Sequence, residues 1–158
     1  MSVKTTKEFA EHAFNIIENT MKGVTEPEAL YKATDESNNI YWIINHICRI
    51  SNTTLPRIIR GDAMWKPVGW PDDYKDQRYP LDKYKADLAA GRKMVIDGIA
   101  ALKDAQLDEE APFRGGKARR AVGLVTYIGE LVHHEGQIAF IRGTVKRLKE
   151  KDPNFLTL

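Results

Sequence analysis

The stretch Leu124-Val125-Thr126-Tyr127-Ile128-Gly129-Glu130-Leu131-Val132-His133-His134-Glu135-Gly136-Gln137-Ile138 decides the reading of this 158-residue chain. Projected at about 100° per residue, it collects Leu124, Ile128, Leu131 and Ile138 on one face, the period of an amphipathic helix. The pattern extends from about Lys117 to about Lys151 and ends before Pro153, whose ring disfavours a helical residue ahead of it. His134 falls on the flank of the apolar face beside Tyr127, with Glu130 one turn earlier. Residues four apart share a helix face, so Glu130 and His134 point the same way, whereas His133 points away.

Working outward, three more segments carry the helical period and none sustains alternation. Residues 5 to 22 stripe Phe9, Ala13, Ile16, Ile17 and Thr20. A second segment is capped by Asp35 or Ser37 and reaches about Arg60, with Ile40, Ile43, Ile44, Ile47 and Ile50 in register. Pro56 lies inside it and predicts a kink or an early end. The third, 81 to 104, repeats Leu88, Val95, Ile99 and Leu102. Four such helices in a chain of this length predict an all-α helix bundle forming a single domain over 1–158. The link from 61 to 80 carries Trp65, Pro67, Trp70, Pro71, Tyr74, Tyr79 and Pro80. A connection so long is expected to cross one end of the bundle, either plugging it or closing over a pocket.

Composition narrows the function classes. The chain is 42% hydrophobic and 29% charged with a formal net charge of +2, so no nucleic acid or anionic membrane is required as partner. No apolar run approaches the roughly 20 residues of a membrane span, and the first residues lack a signal-peptide core. One cysteine, Cys48, excludes an intrachain disulfide and suits a reducing, cytoplasmic setting. It projects away from His46 and reads as a small buried hydrophobe. His12, beside the first apolar stripe, reads as structural.

The chemistry then rests on few residues. His46 lies at the side of the isoleucine stripe, in the sector of Asn39, Trp42 and Thr53. His46 and His134 sit near the midpoints of their helices, and in a bundle midpoints share a depth. With Glu130 they make a two-histidine, one-carboxylate set, the pattern of an open catalytic metal site. Against this stands the ordinary alternative of satisfied flank histidines and a glutamate paired with a nearby cation. His134-Glu135-Gly136-Gln137-Ile138 begins like a zincin motif but lacks its second histidine, which argues against a metalloprotease. Gly129, Gly136 and Gly143 recur every seven residues among Val125, Val132 and Ala139. Interior glycine costs about 1 kcal/mol relative to alanine, so the stripe predicts close backbone approach. The partner is either a neighbouring helix or a second copy of the chain in a homodimer.

The segment Ile40-Tyr41-Trp42-Ile43-Ile44-Asn45-His46-Ile47, followed by Glu130 through Arg142 with its HHxGQ string, resembles the DinB-like (YfiT-like) family. The resemblance implies a four-helix bundle in up-down-down-up order. It also implies a divalent metal held by one histidine of helix two and two of helix four, at i and i+4. His46 and His134 match two of these positions. Glu130 occupies the third, a departure that alters charge and ligand softness. Characterised members look like thiol-dependent enzymes, namely transferases using bacillithiol or mycothiol and a maleylpyruvate isomerase. The implied function is thus a metal-dependent S-transferase or hydrolase acting on a small molecule. Zinc, nickel or iron would sit on His46, Glu130 and His134, with a low-molecular-weight thiol as cosubstrate. Glu130 is third ligand or general base, and Trp42 and Tyr127 line the substrate pocket beneath the 61–80 link. Lys117, Arg119 and Arg120 are candidates to hold an acidic thiol at the start of helix four. The alternative is a non-catalytic binding or stress-associated bundle whose metal site has degraded through Glu130.

Overall fold

The computed structural model describes residues 1–156, so the last two positions of the expected 1–158 domain lie outside the described residues. Its helices are α1 (Val3–Met21), α2 (Glu26–Leu30), α3 (Ile40–Arg49), α4 (Leu55–Arg60), α5 (Leu81–Ala100) and α6 (Arg120–Lys151). A π-turn, Ile50–Thr54, joins α3 to α4, and a hairpin of β1 (Glu110–Phe113) and β2 (Gly116–Arg119) precedes α6. The chain is predominantly helical, as the periodicity predicts and in keeping with an all-α fold, to which the described residues add a short two-stranded hairpin. The last helix starts at Arg120 rather than Lys117. The two strands pair antiparallel from Glu110↔Arg119 to Phe113↔Gly116. Their turn residues, Arg114 and Gly115, both have positive φ (48° and 81°), the requirement of a type I′ turn.

Asn39, not Asp35 or Ser37, caps α3: the Trp42 amide donates to its Oδ1 at 3.0 Å. Pro56 neither stops nor sharply ends the helix. The wide turn ahead of it changes the hydrogen-bond register, and side chains serve carbonyls of α3. Ser51 Oγ donates to Ile47 O at 2.9 Å, Asn52 Nδ2 to Cys48 O at 2.9 Å, and Thr53 Oγ1 to Arg49 O at 2.7 Å. The helix ends at Gly61, whose φ of +73° closes it with a left-handed cap.

The core is formed by Ala10, Phe14 and Ile17 of α1, the isoleucines of α3 and α4, Val95 and Ile99 of α5, and Leu124, Ile128 and Leu131 of α6. On α1 the buried stripe is rotated from the expected one, leaving Phe9 half-buried. α1 packs on α5 and α6, and the α3–α4 unit packs on the same two helices. Contacts along α3–α4 and α5 climb together. Cys48 meets the Tyr84 carbonyl, Asn52 meets that of Asp87, and Ile59 meets Gly98. Contacts with α6 run oppositely, from His46 against Glu130 to the Ile58 carbonyl against Arg120. Gly91 is where α5 comes closest: a Cβ there would lie 2.6 Å from Ser51 Oγ.

The 61–80 link seals the α3–α5 side. Tyr74 is buried, stacks on Trp70 with centroids 4.2 Å apart, and donates its hydroxyl to Asp87 Oδ2 at 2.6 Å. Asn45 Nδ2 donates to the Tyr74 carbonyl at 2.9 Å. Asn45 and His46 lie about 100° apart around α3, so a link anchored at Asn45 sits on the neighbouring flank. Its residues Lys75, Asp76, Gln77 and Arg78 share a cavity there with Trp42, Asn45 and Arg49.

Candidate metal centre

His46 and Trp42 of α3 face Glu130 and His134 of α6. The His46 and His134 rings meet edge to face with centroids 4.6 Å apart, and Trp42 stacks on His46 at 5.5 Å. One ligand atom from each of His46, Glu130 and His134 lies within 4.8 Å of the others. Glu130 turns inward: its Oε2 is 3.7 Å from His46 Nε2 and its Oε1 is 3.5 Å from Arg114 Nη2 at the hairpin tip. His134 is 9% exposed and the other two are partly exposed, so the group opens to solvent on one side. Two imidazole nitrogens and one carboxylate oxygen are donors that suit zinc, nickel or iron, and three ligands leave positions open.

The two histidines differ in how they are held. His134 Nδ1 faces Gln137 Oε1 at 3.1 Å, and Gln137 Nε2 faces His133 Nε2 at 3.1 Å. An amide oxygen only accepts, so Nδ1 carries the proton and Nε2 keeps its lone pair for a metal. His46 Nδ1 instead faces Arg49 Nη2 at 3.1 Å, while Arg49 Nε donates to Asn45 Oδ1 at 3.1 Å. Guanidinium only donates, so His46 Nδ1 accepts, and its proton sits on Nε2. Metal binding through His46 Nε2 therefore requires the Arg49 contact to open. Burial, then the neighbouring His134 and Arg49, lower the His46 pKa against the opposing pull of Glu130, which keeps the ring neutral. Sequence reasoning missed both Gln137 and Arg49. Their positions at +3 from each histidine, on the same helix face, are the signal that was available.

The other candidates separate. Trp42 is 47% exposed and lies against the histidines, whereas Tyr127 lies on the hairpin side, edge-on to Phe113 at 6.0 Å. The two thus flank the group on different sides instead of lining one pocket. Of the link residues, Ala63 lines the cavity next to Tyr127. Cys48 is fully buried, its thiol pushed up by burial, and it points at the Tyr84 carbonyl. His12 and His133 are exposed. Glu135 accepts from the Thr20 hydroxyl and so ties α6 to α1. The basic run is engaged locally: Lys117 pairs with Glu110 and Arg119 with Asp108, while buried Arg120 bonds the Ile58 and Gln106 carbonyls and Glu109. It closes the hairpin base instead of presenting a free cationic patch. Among the described residues a Cβ on Gly129 or Gly136 would meet nothing within 4 Å, so the stripe is not in close backbone approach to another helix there; Gly136 lines an open cavity with Ile43 of α3.

Residues 10–138 match the DinB superfamily, and the chain belongs to it. A crystal structure of a conserved protein from Enterococcus faecalis is similar in fold. The TM-score is 0.67 at 20% identity, with 90% of this chain and 96% of that one covered. No curated protein matches the sequence. Among the described residues, no helix is long and apolar enough to cross a membrane.

Proposed function

We propose that this DinB-superfamily protein is a metal-dependent enzyme of the S-transferase or hydrolase type. Its divalent ion, zinc, nickel or iron, is held by His46, Glu130 and His134. The observation that carries this reading is the convergence of three ligand atoms within 4.8 Å, one already fixed by Gln137 in the tautomer a metal needs. An ion there lowers the pKa of a bound thiol or water, making a nucleophile at neutral pH. Glu130 serves as third ligand or as general base, and Trp42 and Tyr127 bound the substrate from two sides. The scaffold is read as an up-down-down-up four-helix bundle. Support comes from contacts that climb together along α3–α4 and α5 and run oppositely between α3–α4 and α6. The setting is read as cytoplasmic, and the open glycine stripe favours a homodimer packed through α6, because among the described residues nothing comes within 4 Å of a Cβ at Gly129 or Gly136.

Metal content by mass spectrometry, on protein purified without an affinity tag or chelator, tests the reading. Near-stoichiometric zinc, nickel or iron is expected, lost in both His46→Ala and His134→Ala with the fold intact. Unchanged metal in both variants removes it. The rival reading, a non-catalytic scaffold, is favoured by the Arg49 and Arg114 contacts, which occupy His46 and Glu130. It predicts a protein that neither carries nor takes up divalent ions.

A further inference from the structure

A cavity of about 350 Å³ lies beside the histidine–glutamate group, between α4, the hairpin tip and the first turns of α6. Arg57 and Arg114 are the charged residues in its lining; Phe113 and Tyr127 give it an aromatic wall and Thr54 a hydroxyl. No carboxylate lines it. Arg114 already offsets Glu130 at 3.5 Å, so it contributes little net field. Arg57 is different. Its Nε is held by the Trp65 carbonyl at 2.7 Å, which fixes the side chain. Among the described residues no carboxylate pairs with it. A half-buried, positioned and unpaired guanidinium lining a cavity is costly unless an anion meets it.

We propose that this cavity binds the carboxylate of a small organic substrate. The carboxylate sits between Arg57 and Arg114, and the apolar body lies along Phe113 and Tyr127 towards Glu130. The proposal deepens the enzyme reading by naming its substrate class, and it rests on that reading only for what happens at the far end of the molecule. Anion recognition here needs no metal. The aromatic wall and the volume fit an aryl or branched alkyl carboxylate, and the single fixed guanidinium fits one bidentate carboxylate.

The test is titration of full-length, chelator-treated protein with 3-phenylpropanoate and with its neutral isostere 3-phenylpropanamide, followed by amide chemical shifts. Saturable binding of the carboxylate tighter than about 10 mM is expected. Shifts should centre on Gly115, Gly116 and Tyr127, and the amide should bind at least about tenfold more weakly. Arg57→Gln should weaken the carboxylate about tenfold, while Arg57→Lys, which keeps the charge but not the planar fork, should recover only part of that loss. Equal binding of acid and amide, shifts elsewhere, or no saturation would overturn the proposal. If Arg57→Gln fails to fold, the acid–amide comparison on the wild type and on Arg114→Gln still decides. A repeat with added zinc separates the two ideas: carboxylate binding without metal uptake sinks the metal reading alone.

Discussion

Replacing Arg49 by glutamine should tighten metal binding, although Arg49 is not a ligand. Arg49 Nη2 sits 3.1 Å from His46 Nδ1 and makes it an acceptor. A metal on Nε2 needs the opposite tautomer, with Nδ1 protonated, so the contact must be broken as the ion binds. A hydrogen bond from a charged group contributes about 1.5–3 kcal/mol net, and this half-buried one belongs near the lower end. The guanidinium also repels the incoming dication, adding in the same direction. Removing about 1.4 kcal/mol of opposition corresponds to a tenfold lower Kd. Glutamine offers more than deletion, because its carbonyl can accept from Nδ1–H, as Gln137 does for His134. Competition against a chromophoric zinc chelator measures the change, with Arg49→Lys as the control that keeps the charge and stays near wild type. A correctly folded Arg49→Gln protein that binds zinc as weakly as wild type, or more weakly, refutes the tautomer argument.

Gln137→Leu should weaken zinc by about tenfold or more, since a lost second-sphere partner costs 10- to 100-fold in affinity, and the same chelator assay reads it. Low pH should destabilise the metal-free fold. The lowered pKa of His46 means the unfolded chain binds the proton first, so stability is full above about 6.5 and falls as pH drops below it. Thermal melts from pH 7 to 5 should show a shallower loss in His46→Gln; an unchanged slope contradicts the assignment. Gly91→Ala should cost about 1–3 kcal/mol by overpacking against Ser51, whereas Gly136→Ala, whose added methyl meets nothing, should gain up to about 1 kcal/mol in the monomer. Denaturant titration separates the two. Sedimentation should show Gly136→Leu as a monomer where the wild type is a dimer, and a wild type that is itself monomeric at micromolar concentration removes the homodimer.

The helices and the meeting of His46 with Glu130 and His134 were legible because each depends on spacing within one long helix. Glu130 and His134 share a face wherever the helix goes, and one histidine on the partner helix sufficed to suggest the rest. The hairpin was not legible. Its strands are four residues each, contain Pro112 and Gly116, and turn through Arg114-Gly115 instead of an Asn-Gly pair. Nor could spacing show which tautomer each histidine holds, since that depends on the rotamers of Arg49 and Gln137. The π-turn was hidden because Pro56 announces a disturbance without saying how the chain absorbs it. The course of the aromatic link was not legible either: its composition marks a plug or a cover, and only the bonds from Asn45 Nδ2 to the Tyr74 and Gln77 carbonyls fix which flank of α3 it follows.

The wide turn at Ile50–Thr54 has a geometric effect on the whole site. From His46 to Ile58 an uninterrupted α-helix would turn through a net of about 120°, so the two would face different neighbours. Absorbing one residue in the wide turn reduces the offset to about 20°. Ile58 thereby seats against Gly123 of α6, and Arg57 is swung to the flank that borders the arginine-lined cavity. The helix works as a vernier, with one surplus residue setting the phase between its histidine half and its arginine half. Single-residue insertions and deletions at 50–54 would then move the cavity around the helix while leaving the histidines in place, a route to a different substrate that no point substitution offers.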